Sequence, residues 1–310
     1  MKYRLEKYNN SYKKEWNEFI SSSKNGLFFF DRNFMDYHSD RFIDHSLLIF
    51  DNQKMIAVFP ANEDGAEIIS HGGLTFGSLI MSYYLKTKDV LDIFDEIKKY
   101  YAGLSFKKII YKAIPQIFHK YPAEEDLYAL FRNEATLFRR DISSVIDLSE
   151  PIRFSETKRQ LIRKCEEKDI LVTENTNLSE YWQLLSDVLL KFDTKPVHTI
   201  EEIILLKEKF PDNIKLFEAR KEGNLYAGIV IFDFGNVVHT QYMAASQEGR
   251  KIGALDFINN YLTHKFNYKK YYSFGISTEN QGNFLNEGLI QQKENMGARG
   301  ITLDFYSIKL

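Results

Sequence analysis

The residue best suited to proton transfer near neutral pH lies in a predicted strand of the C-terminal half, from Asn236 to Ala244. His239 carries an imidazole whose ordinary pKa of about 6.5 makes it the best general base in this segment. Tyr242 lies three residues later on the same strand. Strand histidines are commonly hydrogen-bonded core or edge residues, and aromatic side chains favour strands because they pack well there. His239 and Tyr242 are therefore catalytic candidates, with packing as the alternative.

Two adjacent cations, Arg250 and Lys251, precede a predicted long helix whose apolar stripe is Ile252, Leu255, Ile258 and Leu262. Positive charge at a helix start opposes the helix dipole, so an anion bound there would relieve an electrostatic cost. Plain surface cations are equally common. The pair therefore indicates either an anion site or an ordinary exposed face.

A glycine-rich loop in the N-terminal half follows a predicted strand and reads Ser-His-Gly-Gly-Leu-Thr-Phe-Gly from Ser70 to Gly77. Glycine adopts positive φ without steric cost, so a tight turn would account for the composition. A ligand-binding loop is the alternative.

Composition narrows the function classes. The 310 residues include 41 basic and 43 acidic side chains, a net charge of −2, so we expect no surface for duplex nucleic acid. The single cysteine, Cys165, excludes an intramolecular disulfide, and the seven histidines lack metal-motif spacing, so no metal is expected.

The N-terminus lacks the apolar stretch of a signal peptide, and the longest apolar run is about eight residues, too short to span a bilayer. We expect a soluble cytoplasmic protein with no membrane span; its oligomeric state is not indicated.

The chain also contains a weak internal repeat. Phe106 to Tyr111 and Tyr268 to Ser273 share an aromatic-Lys-Lys-large-large pattern, and each follows a predicted helix. Upstream, residues 47–59 and 215–232 each form two apolar runs around a polar turn, the pattern of a β-hairpin. A third strand is predicted after each hairpin, so each half should contain a three-strand meander.

The order of elements predicts an α/β (α+β) protein of two tandem domains, each a mixed, mostly antiparallel sheet flanked by helices. We place the domains at residues 1–150 and 151–310. The charged helical segment from Ser155 to Asp169 is the predicted connector.

This order resembles the GNAT acyltransferase fold present twice, as in the FemABX-related, double-GNAT proteins, over nearly the whole chain. GNATs hold the coenzyme A pyrophosphate with a loop and helix N-terminus patterned [QR]-x-x-G-x-[GA]. The corresponding stretch here runs from Glu248 to Leu255, where Gly253 and Ala254 match, while Glu248 and Lys251 depart from the pattern. The resemblance implies that Arg250, Lys251, Gly253 and Ala254 contact an acyl-CoA such as acetyl-CoA.

A second GNAT signature corresponds to Asn286, Leu289, Lys293 and Gly297. In GNATs the Asn binds the pantetheine arm and a Tyr at the position of Lys293 often protonates the thiolate. The resemblance implies that Asn286 binds the donor and that Lys293 stabilises developing negative charge. Lysines are mostly exposed, so a solvated helix residue is the alternative for Lys293. Glu279 either faces the same cleft or caps a helix.

The resemblance implies transfer of an acyl group from an acyl-CoA thioester to an amine, with the donor in the C-terminal domain. Double-GNAT proteins place substrate between their domains, which makes His71, Gly72, Gly73 and Thr75 candidates for binding the acceptor, a small-molecule or peptide-linked amine. One alternative is a FemX-like aminoacyltransferase that uses aminoacyl-tRNA in peptidoglycan precursor synthesis. A carrier-protein donor and a non-catalytic binding module also stay open, because fold does not determine function.

Overall fold

A computed structural model describes residues 2–310, which form two compact units. The first unit runs to Asp141 and also contains Asn280–Asn283 and Thr302–Leu310. The second comprises Ile142–Glu279 and Phe284–Ile301. The domain boundary near residue 150 stays a prediction, and the contacts assign residues 302–310 to the first unit.

The strands of the first unit are β1 (Arg4–Lys7), β2 (Ile43–Asp44), β3 (Leu47–Asp51), β4 (Lys54–Phe59), β5 (Asn62–Asp64), β6 (Glu67–Ile69), β7 (Ile80–Met81), β8 (Lys108–Lys112) and the first half of β9 (Thr136–Asp147). Its α-helices are α1 (Lys13–Ser22), α2 (Arg32–Met35), α3 (Thr87–Gly103) and α4 (Glu125–Arg132). Short 3-10 helices cover Asn10–Tyr12, Phe28–Phe30, Asp36–His38 and Gln116–Phe118.

The core of the first unit lies between the antiparallel sheet β1-β3-β4-β7 and α3. Helical spacing brings five α3 side chains into this core: Val90, Ile93, Phe94, Ile97 and Tyr101. The predicted hairpin forms as β3 and β4, which meet at the turn between Asp51 and Lys54. The predicted three-strand meander does not form. The third strand, β6, pairs with β5 and β8 instead, because the strand that begins as β4 is interrupted at Pro60, which lacks an N–H for the ladder.

The strands of the second unit are the end of β9, β10 (Leu171–Asn175), β11 (Ile214–Lys221), β12 (Asn224–Asp233), β13 (Val237–Ala245), β14 (Tyr271–Ile276), β15 (Thr278–Glu279), β16 (Phe284–Leu285) and the first residues of β17 (Arg299–Lys309). Its α-helices are α5 (Glu156–Glu166), α6 (Ser179–Leu190), α7 (Ile200–Lys209), α8 (Gln247–Ile252), α9 (Ala254–Lys265) and α10 (Glu287–Asn295).

The sheet of the second unit has the order β10-β11-β12-β13-β14-β9. All of these neighbours are antiparallel except β13 and β14, which run parallel. Strands β11, β12 and β13 form the predicted meander. Apolar residues from one face of the sheet pack against α9, where Ala254, Ile258 and Leu262 are fully buried. Mixed, mostly antiparallel sheets flanked by helices confirm the predicted fold class.

Candidate active site in the second unit

Strands β13 and β14 separate in the middle of the second unit. They pair at only three positions, Val237 with Tyr271, Val238 with Tyr272 and His239 with Ser273. A bulge in the β12–β13 ladder lies beside Thr240, and β13 then continues to Ala245. We call the point beyond the last of these pairs, His239 with Ser273, the fork. Within residues 2–310 no other strand takes the edge of β13 that β14 leaves free.

The end of β14 bends sharply at Gly275, which has φ of +74°. Left-handed backbone favours glycine, and a Cβ built there would lie 3.2 Å from Cε1 of His239. The ladder to β9 also shifts register between Ser273 and Ile276. Gly275 therefore turns β14 away from β13 and lets the backbone approach the histidine ring.

Lys293, on the last turn of α10, is buried against this bend and is only 2% exposed. Its Nζ donates to the carbonyls of Gly275 (2.9 Å) and Ile276 (2.7 Å) and to Oγ of Ser277 (2.8 Å). Burial lowers its pKa to about 8. The solvated-surface alternative for Lys293 is therefore excluded. All three N–H groups of the ammonium donate hydrogen bonds to these acceptors. The positive charge therefore acts on the fork indirectly, by polarising the peptide groups that accept from it.

His239 lies at the fork, and its Nδ1 is 3.1 Å from Oγ of Ser273. Burial, together with the charge of Lys293, lowers the pKa of His239 to about 4. The imidazole is therefore neutral at pH 7 and is a much weaker base than its ordinary pKa implies. The neutral ring can orient a neighbouring group, such as a water, by hydrogen bonding, but it accepts a proton only weakly at pH 7.

Asn286 and Glu279 form a capping arrangement at the start of α10. The side-chain oxygen of Asn286 accepts from the N–H of Leu289 (3.0 Å), and its Nδ2 donates to Oε1 of Glu279 (2.7 Å). The side-chain oxygen and nitrogen of Asn286, which would bind a donor, are thus both engaged in hydrogen bonds within the protein. Asn286 therefore positions the helix that carries Lys293, while donor binding by Asn286 and a catalytic role for Glu279 stay predictions.

Tyr242 is buried on β13 and directly follows Gln241, the extra residue of the bulge. Its hydroxyl is 2.6 Å from Nδ1 of His198 and accepts from the N–H of the same residue (3.3 Å). The ring packs edge-on against Trp182 at 5.1 Å. Burial raises the pKa of Tyr242. These contacts give Tyr242 a packing role that anchors the loop before α7 onto β13, and a catalytic role stays a prediction.

The segment predicted to hold the donor's pyrophosphate is folded differently from the expectation. Ser246 caps a separate short helix, α8, by accepting from the N–H of Gly249 (3.0 Å), and the predicted long helix is α9, which begins at Ala254. Arg250 and Lys251 occupy the last turn of α8, where the dipole favours cations. The two cations therefore lie at the C-terminal end of α8 and just before the start of α9, and their contact with coenzyme A stays a prediction.

Gly253 and Ala254 join α8 to α9 beneath α5. Gly253 has φ of +78°, and a Cβ built there would lie 2.5 Å from Cβ of Leu161 on α5. Ala254 is fully buried. In the first turn of α9, Asp256 pairs with Lys158 of α5 at 2.6 Å. Close helix packing thus accounts for the two small residues.

The glycine-rich loop lies in the first unit, between β6 and β7. Its left-handed residue is His71, with φ of +57°, while Gly72 and Gly73 do not have positive φ. These two glycines instead allow close approach, because Cβ atoms built there would meet the rings of Phe42 and His38. Gly72 and Thr75 are exposed. Acceptor binding by this loop stays a prediction.

Sequence reasoning assigned no site role to Ser273, Gly275 and Ser277, which hold His239 and Lys293 in place, although Gly275 and Ser277 belong to a run, Phe274 to Glu279, that resembles FemABX-related chains. The signal was the run Ser-Phe-Gly-Ile-Ser from Ser273 to Ser277, in which small polar residues alternate with apolar ones around a glycine. In residues 2–310 no cluster of three or more His, Cys, Asp or Glu side chains is arranged to hold a metal ion. No helix in the same range is long and apolar enough to cross a membrane.

Comparison with known proteins identifies the fold. No protein-family model and no curated protein sequence matches the chain. Among solved structures, FemX superposes with a TM-score of 0.70 at 10% identity, over 99% of this chain and 97% of FemX. L-PGS from Bacillus licheniformis superposes with a TM-score of 0.64 at 13% identity, over 98% and 92% of the two chains. A tandem GNAT protein from the clavulanic acid biosynthesis pathway gives 0.51 at 9% identity, over 99% and 98%. The chain therefore has the tandem GNAT fold shared with FemX, which confirms the fold and the resemblance predicted from its sequence.

Proposed function

We propose that the protein is a transferase that moves an acyl group from an activated donor to an amine, with the donor bound at the fork of the second unit. The observation that carries this proposal is the separation of β13 and β14 beyond His239 and Ser273, beside the buried charge of Lys293. Backbone N–H and C=O groups on a free strand edge can pair with an extended ligand. The fork therefore suits the amide-containing or ester-linked arm of an activated acyl donor.

The chemistry requires stabilisation of the oxyanion that forms when the amine attacks the acyl carbonyl. The ammonium of Lys293 polarises the peptide groups of Gly275 and Ile276, whose carbonyls it binds, at the tip of β14. A fixed charge near a developing negative charge lowers the barrier without reorganisation. The amine proton passes through a water oriented by neutral His239 to the departing oxygen or sulfur as the tetrahedral intermediate collapses and the acyl C–O or C–S bond of the donor breaks. Alignment of the two reactants supplies much of the rate.

We propose an aminoacyl ester, as in a FemX-like enzyme that uses aminoacyl-tRNA, ahead of acyl-CoA as the donor. Leu161 packs against Gly253 and Lys158 pairs with Asp256, so α5 lies against the start of α9, the helix at which a pyrophosphate would bind. The superposition on FemX supports the same choice. Acyl-CoA is the second candidate, supported by the exposed cations Arg250 and Lys251. The acceptor is an amine, small or peptide-linked.

Titration of the wild-type protein with aminoacyl-tRNA, acetyl-CoA and acylated carrier protein separates these donors. We expect aminoacyl-tRNA to bind and to lose its amino acid to an added amine, and acetyl-CoA to give no calorimetric signal. An Arg250→Ala/Lys251→Ala variant is the control. Binding of acetyl-CoA that weakens in this variant, with a loss that shrinks at high salt, would establish the acyl-CoA donor instead. Binding without transfer from any donor would indicate a non-catalytic module.

A further inference from the structure

Lys112, at the end of β8, fastens the glycine-rich loop to the first unit. Its backbone N–H donates to Oγ of Ser70 (2.8 Å), and its carbonyl accepts from the N–H of Gly77 (2.8 Å). The side chain is 7% exposed, and Nζ donates to the carbonyls of His71 (3.0 Å) and Leu74. An ammonium has three N–H groups, so one of them is left without an acceptor in the described part of the chain.

Two buried imidazoles lie in the same unit. His71 is 4% exposed and His38 is 1% exposed, and their rings meet edge-to-face with centroids 5.2 Å apart. Nδ1 of His71 and both ring nitrogens of His38 are buried and make no hydrogen bond within residues 2–310. Buried polar atoms without partners are rare in folded proteins and call for a ligand, an ion or water.

The backbone of Gly73 lies close to one of these nitrogens, Nε2 of His38. A Cβ built on Gly73 would lie 2.4 Å from Nε2 of His38, and the N–H of Gly72 donates to Oδ1 of Asn62 (2.6 Å). Gly72 and Thr75 are exposed on the outside of the same loop. The glycine-rich loop therefore lies between the His38 ring and solvent, and a ligand would reach the imidazoles by displacing this loop.

The side chains of Lys112 and Arg32 place positive charge near His71. Burial lowers the pKa of His71 most, and protonated His38, Lys112 and Arg32 lower it further. Arg32 has a carboxylate partner, Asp44, at 2.9 Å. Lys112 has none within ion-pair distance in residues 2–310, and burial, with Arg139 nearby, lowers its pKa to about 7.

His38 experiences charges of both signs. Burial and Arg41 lower its pKa to about 4, while the carboxylates of Asp36 and Asp40 act in the opposite direction. Both imidazoles are therefore neutral at pH 7, and each offers one N–H donor. An anion beside them would be bound by these donors and by the free N–H of Lys112, and it would offset the positive charge.

We propose that Lys112, His38 and His71 form a binding site for a small anionic group, a carboxylate or a phosphate, that the acceptor substrate carries. The assignment to the acceptor rests on the proposed function, whereas anion binding itself does not. The site defines the acceptor as an amine that also bears an acidic group.

The direct experiment titrates wild-type protein carrying ¹⁵N-labelled histidine with inorganic phosphate in one arm and acetate in another, at constant ionic strength. We expect saturable shifts of the ring resonances of His38 and His71 and a rise in their pKa values, with the stronger arm identifying the anion. His45, whose Nδ1 lies 2.7 Å from Oε1 of Glu63, is the internal reference. The absence of shifts in both arms, or equal shifts at His45, would overturn the proposal.

Variants test the contribution of the lysine. Lys112→Met should weaken anion affinity at least tenfold. Lys24→Met is the matched control, because Lys24 is also buried in the first unit but is paired with Glu125 at 2.6 Å, and it should keep the wild-type affinity. Equal affinity in both variants would refute the role of Lys112. If Lys112→Met does not fold, the wild-type titration still decides. Neither measurement involves transfer, so failure of this site and failure of the transferase activity are distinguishable.

Discussion

Lys293→Met removes one buried charge and three hydrogen bonds while keeping an unbranched side chain of similar length. Two effects on stability oppose each other. Burial lowers the pKa of Lys293 from 10.5 to about 8, so loss of the charged form at pH 7 removes an unfavourable contribution of roughly 3 kcal/mol. The carbonyls of Gly275 and Ile276 then lose their donor, at about 1–3 kcal/mol each, whereas the hydroxyl of Ser277 can rotate to another acceptor. We expect a net destabilisation of about 0–3 kcal/mol, or a Tm lower by up to about 10 °C.

The effect on catalysis should be much larger. If the charge acts only in the transition state, turnover should fall by about 10²–10³-fold while donor affinity stays within about twofold. The pKa of His239 should also rise, because the charge of Lys293 contributes to its low value. Single-turnover transfer, donor titration and NMR of the His239 ring measure these three quantities on the same preparation.

Lys195→Met is the matched control, since Lys195 is an exposed lysine of the same unit with no assigned role and should show wild-type turnover. Unchanged turnover in Lys293→Met would refute the electrostatic role and leave Lys293 as an anchor for the bend in β14. Lost donor affinity with intact turnover would make it a binding residue instead.

Three further predictions follow from the same contacts. Gly275→Ala forces a side chain into left-handed backbone against His239, so we expect about 1–2 kcal/mol of destabilisation by chemical denaturation and reduced transfer; wild-type stability and turnover would contradict this. Tyr242→Phe removes the hydroxyl bonded to His198, which should cost about 1 kcal/mol and leave turnover within a few-fold, whereas a hundredfold loss of turnover would show a catalytic role. His239 and His38 each have a pKa of about 4 in the folded protein against 6.5 in the unfolded chain. Between these two values the unfolded chain binds more protons, so the free energy of unfolding falls as the pH drops through that window. The loss is about 3 kcal/mol for each histidine. Urea denaturation at pH 7 and pH 4.5 checks this, and equal midpoints would refute it.

Much of the architecture could be read from local patterns. Apolar residues at helical spacing correctly predicted α3 and α9, and paired apolar runs around polar turns predicted the hairpins β3–β4 and β11–β12. These patterns predict structure because each helix or strand must bury one face. The spacing of its apolar residues therefore follows the period of that helix or strand. The failures were also local in origin. The interruption of the strand at Pro60 and the separate short helix α8, capped by Ser246, are each marked by a single residue outside the apolar patterns.

The residues of the candidate site could likewise be predicted in part from the sequence, whereas their contacts could not. The sequence alone singled out His239 and Lys293, because a strand imidazole and a helix lysine at a GNAT position are visible one residue at a time. Only the tertiary structure shows that Lys293 gives all its N–H groups to the bend at Gly275, and that His239 stays neutral at pH 7. Those properties depend on burial and on contacts between residues far apart in the chain. Pairing of β13 with β14 creates these contacts, and no pattern within either strand records where that pairing ends.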